Sequence, residues 1–148
     1  MSEEIKKELA EEVKEIVEDD DSIADTYEIE EMLEDFRKAA LDIITKKHPE
    51  LESQIEEFKK QYKDVFVYMF SDDEFYIYRP ITRFEYKELS KDTDNYDLVA
   101  EKIVMRATLY PQLTDSVMNT LKAGVIPTLL ELILDASGFG VKNPVIQL

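Results

Sequence analysis

The sequence predicts an α+β fold, mainly α-helical with one central β-hairpin, on three observations. Apolar residues recur at three- and four-residue steps through most of the chain, as amphipathic helices require. Two strand-length runs of β-branched and aromatic residues, 65–70 and 75–78, flank the turn-forming Ser71-Asp72-Asp73-Glu74. Prolines and capping residues stand where helices should start or stop.

Ile5, Leu9, Val13, Ile16 and Val17 form a narrow apolar stripe among Glu and Lys, which suits a seam against another helix or subunit. Glu18, Asp19, Asp20 and Asp21 then oppose the helix dipole, so this helix should end there. Ser22 or Asp25 is the expected cap of a second helix running to Lys47, with Tyr27, Met32, Leu33, Phe36, Ala39, Ala40, Ile43 and Ile44 on its apolar face. His48-Pro49 stops it, because a residue before proline is pushed out of the α region. Pro49 suits the first position of a third helix, which should bury Leu51, Ile55, Phe58 and Tyr62.

Residues 1–64 are therefore expected to be an acidic segment of three helices, and residues 65–148 a β-hairpin plus helical docking module. Both runs of the hairpin are apolar on both faces, so one face should pack on helices of the chain and the other should meet something else. Pro80 closes the second strand. Thr82-Arg83-Phe84-Glu85 matches the capping box, predicting a helix from Thr82 to Ser90. After the polar linker 91–95, Tyr96, Val99, Ile103 and Ala107, with Leu109 or Tyr110 beyond, mark a helix ending before Pro111. Thr114 or Asp115 caps a short helix through Val117, Met118 and Leu121, and Gly124 is expected as its left-handed C-terminal residue. Pro127 opens the last helix, Thr128 to Ala136, whose leucines leave Glu131 and Asp135 for water. Val141 to Leu148 is expected to dock, since Val145, Ile146 and Leu148 are costly to expose.

Charge and composition limit the chemistry. The chain carries 34 acidic and 18 basic residues, a net −16; residues 1–74 hold 25 against 10, or −15, and residues 75–148 hold 9 against 8, or −1. An asymmetry this large suits solvated acidic helix faces in the first half and a docked second half. Nucleic acid is not expected as a direct ligand, because phosphate binding needs a basic stripe. The absence of cysteine excludes a disulfide framework, a thiolate nucleophile and a Cys-built metal site, and the single His48 has no carboxylate or serine partner in sequence. Asp19–Asp21 with Asp25, and Asp72-Asp73-Glu74, lack the alternating oxygens and central glycine of a calcium loop and read as helix-end and turn acids. Gly124, Gly138 and Gly140 form no phosphate loop. No cofactor, metal, catalytic constellation, membrane span or leader peptide is expected.

Tyr76-Ile-Tyr-Arg-Pro-Ile-Thr-Arg-Phe-Glu-Tyr-Lys-Glu-Leu89, followed by Glu101-Lys-Ile-Val104, Leu109-Tyr-Pro111, Ala123-Gly-Val125 and a segment ending in Ala136-Ser-Gly-Phe139, resembles small tail or baseplate assembly proteins and minor virion components of tailed bacteriophages. The resemblance spans residues 65–140 and leaves the acidic helices outside it. It implies a non-enzymatic structural or tail-assembly protein, chaperone-like, that binds phage structural proteins in an assembly able to hold several copies, and is located in the virion or in the host cytoplasm during assembly. Its expected protein-binding residues are Tyr76, Tyr78, Arg79, Arg83, Phe139, Val145, Ile146 and Leu148, since tyrosine and arginine dominate interface hot spots. The rival expectation is an acidic DNA mimic that occupies a basic host or phage protein.

Overall fold

The computed structural model describes Lys7 and residues 24–148. Within them the order is α1 (Ala24–Lys47), α2 (Leu51–Gln61), β1 (Phe66–Met69), β2 (Phe75–Tyr78), α3 (Arg83–Ser90), α4 (Tyr96–Ala107), β3 (Thr108–Tyr110), α5 (Asp115–Met118) and α6 (Val125–Ala136). The fold is α+β and mainly helical, as expected. The first expected helix and the acids 18–21 lie outside the described residues, apart from Lys7, which is helical and exposed.

The chain parts into two compact units: residues up to Glu57 with Met69–Phe75, and Phe58–Tyr68 with Tyr76–Leu148. This division runs through the hairpin, whose tip groups with α1. Asp73 at that tip takes an ion pair from Lys47, which holds the Asp73 carboxyl below its ordinary value. The ring of His48 meets Phe75 edge-on, with centroids 5.8 Å apart. The tip itself is a serine turn: Ser71 Oγ accepts from the Asp73 and Glu74 amides at 3.2 and 3.0 Å, and the Phe70 amide donates to the Glu74 carbonyl at 2.9 Å. In the same unit α1 buries Ile44, and α2 buries Leu51 and Ile55. Tyr27 and Leu33, expected on the apolar face of α1, are 75% and 55% exposed.

In the second unit three expectations need correction. The helix expected to run toward Pro111 stops at Ala107, and Thr108–Tyr110 is a strand pairing antiparallel with β2, Ile77 opposite Tyr110 and Tyr78 opposite Thr108. The hairpin is therefore part of a three-stranded sheet of order β1-β2-β3. Leu109 and Tyr110 suit either state locally. The residue before proline is biased to extended backbone, and the β2 edge supplies the ladder partners a helix end would lack. Being central, β2 is buried along its whole length, whereas β1 alternates exposed and half-buried, so the open face expected of the hairpin is confined to β1.

Gly124 is the second correction. Its φ is −81°, and it stands at the N-cap of α6 instead of closing α5. The last helix accordingly starts at Val125, two residues before Pro127, and its first turn is tied by Thr128 Oγ1 donating to the Gly124 carbonyl at 2.7 Å. Positive φ is found at Gly138 and Gly140, both at 90°, where the chain leaves α6. Third, the segment beyond Gly140 is not docked: Val141, Val145, Ile146 and Leu148 are 77% exposed or more.

The core of this unit lies where α4 packs on α6, α3 and β3. Ile103, Val104, Ala107, Leu129 and Ile133 are at most 2% exposed. Caps set the helix starts. Thr82 Oγ1 accepts from the Glu85 amide and Glu85 accepts from the Thr82 amide, each at 3.2 Å, completing the expected box; Asn95 caps α4, and Thr114 rather than Asp115 caps α5.

Candidate protein-binding site

The residues expected to bind a partner separate into an interior set and a surface set. Tyr76, Tyr78 and Arg79 are 2%, 7% and 7% exposed, so they present no usable surface, and their expected role as anchors is corrected. Tyr78 stacks on Phe66 at 5.6 Å between centroids, and burial pushes its phenol pKa up. Arg79 closes an ionic cluster. Its two terminal nitrogens donate to Glu85 Oε1 and Oε2 at 2.9 and 2.8 Å, its Nη1 also donates to the Pro80 carbonyl at 3.1 Å, and its guanidinium lies 4.5 Å from the Tyr62 ring centroid. Arg106 approaches the same carboxylate at 3.7 Å. These donors, with the Thr82 amide, hold the Glu85 pKa down at about 2. A guanidinium this buried, with both terminal nitrogens on one carboxylate and only Nε without a partner, is structural.

Arg83, Phe139, Val145, Ile146 and Leu148 are on the surface. Arg83 opens α3 beside Phe84, which is 72% exposed. Phe139 is 41% exposed and leans on Tyr86, with centroids 5.1 Å apart. From Phe139 the chain runs on as an apolar tail, with Lys142 paired to Asp135.

Phe139 and Gly140 also line a groove of about 730 Å³ between α4 and α6. Its floor is aliphatic, made by Ala100, Leu130 and Leu134, and an adjoining hollow of about 350 Å³ shares those residues. Its rim is acidic: Asp97 and Glu101 from α4, Glu131 and Asp135 from α6. Tyr96, expected on the buried stripe of α4, stands 69% exposed at its edge. The sequence leaves Glu131 and Asp135 for water and gives Asp97 and Glu101 no site role. The signal that could have found them is their spacing, since each pair sits at i and i+4 on its helix, where like charges repel.

Other chemistry is sparse. His48 Nδ1 lies 3.5 Å from Glu50 Oε1 at the α1–α2 junction, a local contact. Among the described residues no group of three His, Cys, Asp or Glu could hold a metal ion, and no helix is long and apolar enough to cross a membrane. No family model, curated protein or solved structure matches this chain.

Proposed function

We propose that the chain is a non-enzymatic structural or assembly protein of a tailed-bacteriophage tail or baseplate, acting by binding other proteins. The phage assignment rests on the motif resemblance of residues 65–140. The observation that carries the binding role is the exposed apolar run at the end of the chain, Phe139, Val141, Val145, Ile146 and Leu148. Burying one such side chain is worth about 1.5–3 kcal/mol, so five within ten residues form a surface whose cover stabilises strongly. They lie in the half of the chain with a net charge of −1, where a second protein approaches without strong repulsion.

The test is mass spectrometry of purified particles and of assembly intermediates of the phage encoding the chain, with purified tail and baseplate proteins captured on the full chain and on a form ending at Gly140. Capture by the full chain that survives high salt and fails without residues 141–148 is the expected result. The acidic-mimic reading keeps one observation in its favour, the exposed carboxylates Glu28, Glu30, Glu31, Asp35 and Asp42 along α1. Capture of basic proteins alone, released by salt whether or not the tail is present, would favour it.

A further inference from the structure

We infer that the groove between α4 and α6 is the docking site for a basic amphipathic helix of a partner protein, one carrying apolar side chains on one face and Lys or Arg on both flanks. The inference does not depend on the phage assignment, because it comes from the groove alone. Ala100, Leu130 and Leu134 give the aliphatic floor that takes apolar anchors in helix-in-groove recognition. Both walls end in carboxylates, Asp97 and Glu101 on one side, Glu131 and Asp135 on the other, and no residue lining the groove is basic.

Among the described residues Asp97, Glu101 and Glu131 have no cationic partner, and Asp135 has Lys142. Two like-charge i,i+4 pairs facing each other across an apolar channel are a standing repulsion that cations on the two flanks of an inserted helix relieve. The chain's own tail is a poorer complement. It offers one cation, Lys142, to four carboxylates. An acidic or neutral partner leaves the repulsion in place.

The experiment titrates the full chain with a synthetic Leu/Lys peptide of about 18 residues, five helical turns, with all leucines on one face. A peptide of the same composition with the leucines scattered around the helix is the control. Binding is followed by fluorescence anisotropy and by backbone amide shifts. The expected result is saturable binding of the one-faced peptide, with shifts gathered in 94–101 and 123–140. A chain carrying Asp97→Asn, Glu101→Gln and Glu131→Gln should bind about tenfold more weakly, while one carrying Glu28→Gln, Glu30→Gln and Glu31→Gln stays within about twofold.

Thermal melting of both variants at or above the temperature of the unaltered chain certifies the fold. The proposal is overturned if shifts gather on α1, if the two triple variants weaken binding equally, or if the scattered peptide binds as tightly. It is also overturned if the one-faced peptide fails to bind. Binding that appears only after removal of residues 141–148 assigns the groove to the tail and equally overturns it.

Discussion

Among the described residues of α1, a helix of 24, Ile44 alone is fully inside, whereas α6, with 12 residues, encloses Val125, Leu129, Leu130 and Ile133. Both helices repeat apolar residues at the helical period. What differs is how much apolar surface each turn carries. In α1 the period is a stripe between carboxylates, and its flanking members Tyr27 and Leu33 face water. In α6 the apolar face is so wide that Glu131 and Asp135 are left at the edge of a groove. Period therefore reports that a segment is helical, and the width of the apolar arc reports how deep it goes. The same contrast separates two kinds of charge. The acids of α1 are mostly solvated, while Glu85 in the second unit is enclosed by Arg79, Arg106 and a helix N-terminus.

The sharpest way to break this comparison is to cut an equal leucine from each helix. Leu129→Ala should cost about 4 kcal/mol, since the side chain is wholly enclosed, and Leu33→Ala less than about 0.5 kcal/mol. Urea unfolding of the two variants measures both. Comparable losses would mean that α1 is anchored as firmly as α6.

The ionic cluster comes next. Arg79→Leu leaves Glu85 without its bidentate partner and should cost about 3 kcal/mol at neutral pH. The pH dependence follows from the depressed carboxylate. Glu85 titrates near 2 in the folded chain and near 4.5 when unfolded, so the unfolded state takes up protons first as acid is added. Its contribution is fully present above pH 4.5 and is lost as the pH falls from about 4.5 toward 2. Glu85→Gln should remove this part of the acid dependence, which appears as the difference between wild-type and variant stability curves over that interval. A difference that does not shrink toward pH 2 would detach the carboxylate from stability.

The smallest effect is the cap. Thr82→Ala should cost about 1 kcal/mol and lower the melting temperature measurably, because the Glu85 amide loses its acceptor. No change would mean that the Arg79–Glu85 pair positions the start of α3 unaided.

Much of the fold was legible because its signals are local. The turn Ser71–Glu74, the Thr82–Glu85 box, Thr114 as a cap and the stop at His48-Pro49 each depend on groups a few residues apart, and each stands where the sequence places it. The candidate site was less legible. Arg83, Phe139 and the tail are exposed as a docking surface requires, but the tail was expected to be covered within the chain, and the groove went unread because its walls are 30 residues apart in sequence.

By itself the sequence determined the fold class, the order and ends of most helices, the hairpin turn and the division of charge between an acidic and a nearly neutral half. Tertiary structure decided that Thr108–Tyr110 is a strand, that Tyr76, Tyr78 and Arg79 are interior, and that α4 and α6 leave an acid-rimmed channel between them. The physical reason is the same in each case. A free ladder edge on β2, the Tyr62 ring beside the Arg79 guanidinium, and the facing wall of a groove are partners that exist only once segments apart in sequence have met.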